Sequence, residues 1–292
     1  MRNVRLKLAK TRDFLQLLLT HRMGRAGLII FLIFAVMAAF APFLRTVDPE
    51  RTGEVENILK PPSVQFWLGT DDLARDIWSQ VIFGSRMSLM IGFMAGALSI
   101  LIGSLIGLIA GFYGGRVEEL LMRFVDFFMM LPELPLMIVL AAMLGPSIWN
   151  IILVVSIVNW PTTARVVRSQ VLSLKERAFV EASRCIGASD GYLIFREILP
   201  NVIPIIFAQA VLMVTWAIYS ESVLSFLGLG DPTTITWGMM LNFAFESGAM
   251  ARAVWWVLPP IASIVTLILG FTFFGTAVSD VLKPGYRESR GL

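Results

Sequence analysis

Apolar residues run in six blocks, at 27–43, 87–112, 120–144, 151–164, 202–220 and 254–278. Each is continuous rather than alternating, which predicts membrane-spanning helices and not the strands of a β-barrel. Lysine and arginine gather in the segments beside alternate ends of these blocks: Arg2, Arg5, Lys7, Lys10, Arg12, Arg22 and Arg25 before the first, Arg116 after the second, Arg165 to Arg196 after the fourth, and Lys283, Arg287 and Arg290 after the last. That asymmetry predicts that these segments, and both termini, are cytoplasmic. The chain then divides into a cytoplasmic tail at 1–26, a first transmembrane helix at 27–43, an extracytoplasmic loop at 44–86, a transmembrane core at 87–278 and a cytoplasmic tail at 279–292. Within the core, 170–201 is expected to be a cytoplasmic loop and 221–253 an extracytoplasmic one.

Finer patterning adds expectations. Residues 15–19 suit a short helix along the membrane face. The small residues at 38–41 faintly resemble a signal-peptide cleavage site, but the long leading tail argues for a retained anchor. In 68–86, Ile77, Val81 and Ile82 share a helical face, which predicts an amphipathic helix in the outer interface. Gly103, Gly107 and Gly111 recur every fourth residue after Gly92 and Gly96, a spacing that lets helix backbones approach in lipid; packing within the chain is the favoured use. The third block carries Arg123, Asp126 and Glu133 beside Pro132 and Pro135. Charges at that depth face protein or water. Arg123 and Asp126, three apart, are expected to pair; Glu133 is left open. Trp255 and Trp256 are expected in an aromatic belt.

Composition supports the membrane reading. Of 292 residues 57% are hydrophobic and 15% charged, with mean hydropathy +0.75, against about 25% charged in soluble domains. A net charge of +3 gives no ground for nucleic-acid binding. A lone cysteine, Cys185, excludes an internal disulfide, and a lone histidine, His21, excludes a His-based metal cluster. No stretch reads G-x-x-x-x-G-K-[ST], so energy from a nucleotide would have to come from another chain.

The long polar segment 181–201 stands out. Residues 182–186 favour helix, Gly187 allows a break, 192–199 favour helix again and Pro200 marks a boundary. The expectation is two short helices with a hinge. This segment resembles the EAA loop of inner-membrane subunits of ABC importers: Glu181, Ala182, Gly187, Leu199 and Pro200 match, while Ser183 replaces the second alanine and Glu197 stands where an isoleucine is usual. Residues 68–76 resemble the L-G-T-D-x-x-G-R-D segment of that family's dipeptide and oligopeptide branch, with Ala74 in place of glycine and Phe66 in place of a frequent histidine. Residues 221–238 resemble the branch's E-x-x-L-S-F-L-G-L-G…W-G segment, and 271–287 its close, with departures at Thr276, Ser279 and Lys283.

The resemblance implies an all-α protein of about six transmembrane helices with the type I ABC importer permease fold. It implies the shorter of two permease subunits in a peptide importer, in the prokaryotic plasma membrane. Its partners would be a second homologous permease, two ABC ATPases and an extracytoplasmic solute-binding protein. It implies no cofactor in this chain, with ATP and magnesium on the ATPases. Glu181, Ala182, Ser183, Gly187, Ala188, Leu199 and Pro200 would couple to an ATPase. Asp71, Asp72, Arg75, Asp76, Glu221, Ser225, Phe226 and Trp237 would form an outer gate or touch the binding protein. Branch relatives also carry nickel, glutathione or oligosaccharides. A secondary transporter would show inverted repeats, and none is evident. An enzyme would need a reactive constellation, but Cys185 and His21 lie in separate segments and no Ser/His/Asp set is evident.

Overall fold

The computed structural model describes residues 17–49 and 51–282. The basic residues before 17, those after 282, Glu50 and the start of the expected 15–19 helix lie outside them. Among the described residues the chain is helical apart from loops and one isolated bridge between Thr70 and Asp76. The principal helices are α1 (Arg22–Ala39), α2 (Ile77–Tyr113), α3 (Gly115–Met130), α4 (Glu133–Leu144), α5 (Ile148–Lys175), α6 (Ala178–Cys185), α7 (Asp190–Phe226), α8 (Trp237–Glu246) and α9 (Val254–Leu282). Five of them, α1, α2, α5, α7 and α9, are long and apolar enough to cross a membrane; the bent pair α3–α4 makes six if it counts as one span.

Helix α2 is the central post. Its 37 residues reach about 55 Å at 1.5 Å per residue. Its glycines decide what it touches. A Cβ on Gly103 would lie 2.5 Å from the Trp160 carbonyl, and one on Gly107 would run into the Ala164 carbonyl, both on α5. Gly92 and Gly96 meet Ile218 and Val214 of α7 in the same way. The close partners of the glycine stripe are therefore helices of this chain. Gly27 of α1 and Gly270 of α9 do the same for a second pair.

Several sequence expectations are corrected. The interfacial helix expected at 68–86 does not exist as a separate element. Residues from Ile77 onward are the first turns of α2, and Ile77, Val81 and Ile82 are buried. Ile77 and Val81 join Trp237, Met240 and Trp256 in one core, so their shared face meets protein rather than lipid. The third block breaks: α3 and α4 meet at 89°. Leu131 is extended before Pro132, as proline's ring demands of its predecessor, and α4 begins after it. Arg123 does not pair with Asp126; it reaches Glu119 at 2.6 Å, while Asp126 meets Arg165 of α5 at 2.7 Å.

Pro200 is no boundary either. Helix runs from Asp190 to Phe226 because Leu193–Ile198 is a π-helical turn. There the Leu199 N–H bonds Ile194, five back, so the register has already shifted when proline removes a donor. Trp256 is fully buried, not in a belt, and the Trp255 indole donates to the Thr70 carbonyl at 3.4 Å. The first helix ends at Ala39, before the expected 43, and α9 runs past 278.

Candidate coupling elbow and outer joint

Two sites lie at opposite ends of the bundle. The first is the turn between α5 and α7. Lys175, at the end of α5, donates to the Gly111 carbonyl of α2 at 3.0 Å, which fixes where the chain leaves the bundle. Helix α6 then buries only Val180, against Leu193, Ile194 and Ile198. Gly187 has φ +87, in the left-handed region, and its N–H bonds Arg184 while that of Ala188 bonds Ser183. Such a helix stop favours glycine. Nothing lies within 4 Å of a Cβ there, so the constraint is the backbone alone. Ser189 then caps α7 by accepting from the Tyr192 N–H.

This elbow gathers Glu181, Ala182 and Gly187 on its exposed side, with Ser183 and Ala188 half-buried. Ser183 Oγ donates to Glu197 Oε1 at 3.4 Å. Leu199 and Pro200 lie further along α7, the first half-buried and the second exposed. Sequence reasoning missed the apolar side chains that share this surface. Ile186 is 87% exposed and Phe195 64%, and Phe179 and Tyr192 are also exposed. Their signal was present: the loop holds more large apolar residues than Val180, Leu193, Ile194 and Ile198 can bury.

The second site is a joint between the 44–76 loop, α2, α7 and α8. Asp71 is fully buried and accepts four hydrogen bonds: from the N–H of Leu73 (2.9 Å) and of Arg75 (2.8 Å), from Arg75 Nε (2.6 Å) and from Gln80 Nε2 (2.8 Å). Asp76 caps α2 through the Ser79 N–H at 3.0 Å and takes the Thr46 hydroxyl at 2.5 Å. Between them Ala74 has φ +56, which explains the family's glycine at this place. Asp72 is half-buried and one of its oxygens is buried without a partner. Burial pushes its carboxyl above the ordinary value; neighbouring Asp71 adds to this and Arg75 opposes it.

Glu221 of α7 is fully buried and ringed by hydroxyls. Ser225 Oγ donates at 2.9 Å and Ser222 Oγ at 3.4 Å, and the side chains of Thr236 and Ser88 stand beside it. Thr236 in turn caps α8 by accepting from the Met239 N–H. The neighbouring Trp237 is fully buried, with its indole bonded to Val81 and its ring 5.5 Å from Phe34. Gly230 and Gly238 press against Ser225, where a Cβ would lie 2.5 and 2.7 Å from its side chain. Phe226 is half-buried, 5.8 Å from Phe245. So Asp71, Asp76, Glu221, Ser225 and Trp237 turn inward and tie elements together, and Asp72, Arg75 and Phe226 keep partial access to solvent.

This architecture is that of an ABC importer permease. The chain is similar to a chain of the MetNI methionine ABC transporter in two inward-facing crystal forms, with TM-scores of 0.57 and 0.56 at 17% and 18% identity, over 70% of this chain and 97% of that one. Residues 103–288 match the sequence profile of the binding-protein-dependent transport system inner membrane component, and 10–62 match the N-terminal TM domain of oligopeptide transport permease C. The chain belongs to the family of inner membrane components of binding-protein-dependent transport systems. It is 38% identical to the dipeptide transport system permease protein DppC of Alkalihalophilus pseudofirmus, over 94% of this chain and 89% of that protein. It is 37% identical to the oligopeptide transport system permease protein OppC of Bacillus subtilis, over 92% and 88% respectively.

Proposed function

We propose that this permease forms half of the pathway of an ATP-driven importer for di- or oligopeptides, paired with a second permease and worked by two ATPases. The observation that carries the coupling is the elbow itself. A short helix with almost no buried side of its own projects between two long helices, and the elbow around it offers Glu181, Ile186 and Phe195 outward. Exposed apolar groups on a polar turn favour a protein partner. The DppC and OppC relatives are named for dipeptide and oligopeptide transport, which supports peptide as the cargo. The lysine and arginine asymmetry supports a cytoplasmic elbow and cytoplasmic termini, with the Glu221 joint outside. The burial of Glu221, Ser225 and Trp237 supports a gate hinge over direct contact with a binding protein. This chain then needs no cofactor, and ATP and magnesium act on the partners.

The test is the assembled complex in proteoliposomes, with ATP-dependent peptide uptake and ATP hydrolysis measured together. Glu181→Lys, or Gly187→Leu, is expected to leave insertion intact and to abolish uptake. Normal uptake by both variants would refute docking at the elbow.

A further inference from the structure

One face of the bundle is polar where a lipid-facing helix would be apolar. On α5, Asn159, Thr162, Arg165 and Ser169 follow one another at helical spacing, the last three exposed, while Trp160, Thr163, Ala164 and Val167 are buried behind them. Arg165 is paired with Asp126 of α3, yet the two side chains stay 51% and 59% exposed. The pair stands just past 164, where the fourth apolar block ends, and the polar stripe runs from it back into that block through Thr162 and Asn159; polar groups on such a face meet water or another protein.

The 89° break between α3 and α4 lies on this same wall. Helix α3 runs antiparallel to α5: Glu118 bonds Arg168, Asp126 bonds Arg165, and the Phe128 ring lies 5.6 Å from Trp160. Two residues further α3 ends, near the middle of α5, a 28-residue helix in which Trp160 is the thirteenth residue. Non-helical backbone at membrane depth persists only beside protein or water. At the break stands Glu133, exposed, with no cation and no hydrogen-bond donor on its carboxylate among the described residues. The Arg165–Asp126 pair cancels its own charge, so Glu133 carries the net charge of this stretch of wall.

From these placements we infer that the α3–α5 face is the aqueous wall of the pathway and that Glu133 receives the ammonium group of the passing substrate. This rests on the peptide-importer reading, in which the cargo presents a free amino terminus. The carboxylate is at mid-depth, where an ammonium losing bulk water gains most from a fixed negative partner. It is the first residue of α4, directly after the break, and its side chain is exposed.

The experiment uses the full complex in proteoliposomes, with Ala-Phe as cargo and Glu133→Gln and Glu133→Asp as variants. Loss of one charge-assisted hydrogen bond predicts uptake about ten-fold slower in Glu133→Gln. Binding-protein-stimulated ATP hydrolysis, subunit stoichiometry and melting temperature should stay at wild-type levels, and Glu133→Asp should keep most of the uptake. Peptides moved per ATP therefore fall, which a merely structural role would not produce. Unchanged uptake in Glu133→Gln overturns the proposal. So does loss of the second permease or a lower melting temperature, which would assign the cation to a neighbouring subunit. Failure of the wild-type complex to move Ala-Phe or any other peptide on ATP would overturn the peptide reading itself, and this proposal with it.

Discussion

The indole N–H of Trp237 donates to the carbonyl of Val81 at 3.0 Å, joining the first residue of α8 to the second turn of α2 across 156 positions of sequence. Around that bond the Trp237 ring is packed with Phe34, Ile77 and Met240, and Gly84 leaves it room: a Cβ there would lie 2.8 Å from the ring. Truncation removes both the packing and the tie. Trp237→Ala is expected to cost about 3–5 kcal/mol, and Trp237→Phe distinctly less. Thermal unfolding of the purified complex, followed by tryptophan-independent circular dichroism, measures the difference.

Gly107 offers a sharper steric test. A methyl there meets the Ala164 carbonyl and lies 2.9 Å from the Val167 Cβ, so backbone has to move. Gly107→Ala is expected to destabilise by about 1–3 kcal/mol, as overpacking does, and Gly107→Leu to block accumulation in the membrane. Gly115, with open space around its Cβ position, has φ +53 and fails for a different reason. Melting curves for Gly107→Ala check the first effect, and immunoblots of membrane fractions the second.

Glu118 and Arg168 hold α3 to α5, with Arg168 Nε 2.6 Å from Glu118 Oε1 and both groups largely shielded. A double-mutant cycle with Glu118→Gln and Arg168→Gln is expected to return a coupling energy between about 0.5 and 3 kcal/mol. The exposed Arg123–Glu119 pair, 2.6 Å long, should return less than about 1 kcal/mol, because solvent screens it. Equal values for the two cycles would contradict the burial difference.

Asp72 sets a pH signature. Its carboxyl titrates above the ordinary value because burial and Asp71 oppose its charge. The folded chain thus binds a proton more readily than the unfolded one, and stability falls as pH rises from the ordinary aspartate range through the raised value. Asp72→Asn should be more stable than the parent at neutral pH and lose that advantage below the ordinary aspartate range. Melting temperatures taken across an acid-to-neutral series decide it.

Helix number was readable because a continuous apolar run can satisfy its backbone in lipid in few ways, and the Gly103–Gly107–Gly111 stripe announced a close contact. What escaped were matters of partner rather than pattern. The face of Ile77 and Ile82 has the same spacing whether it meets lipid or protein, so the join of the outer segment to α2 was hidden. Proline at 200 signals a stop in an α-register, but the π-turn just before it had shifted that register. Arg123 had two acids within reach of one turn, and only the neighbouring helix, by supplying Arg165, decided which one was left for it. The inward turn of Asp71 and Asp76 was also hidden: acidic residues in a loop read as surface until their hydrogen-bond donors are known. At the elbow the sequence marked the glycine break and the polar surround, and the exposed Ile186 and Phe195 could have been found by asking why large apolar side chains sit there.

Helix α7 starts in the elbow and ends at Glu221 and Ser225 with no loop between, 37 residues or about 55 Å long. Geometry makes it a lever: a tilt of about 5° at its foot sweeps its head sideways by about 5 Å over that length. A small push at the foot, where Ser183 meets Glu197, would therefore arrive at the head as a stroke the width of a side chain.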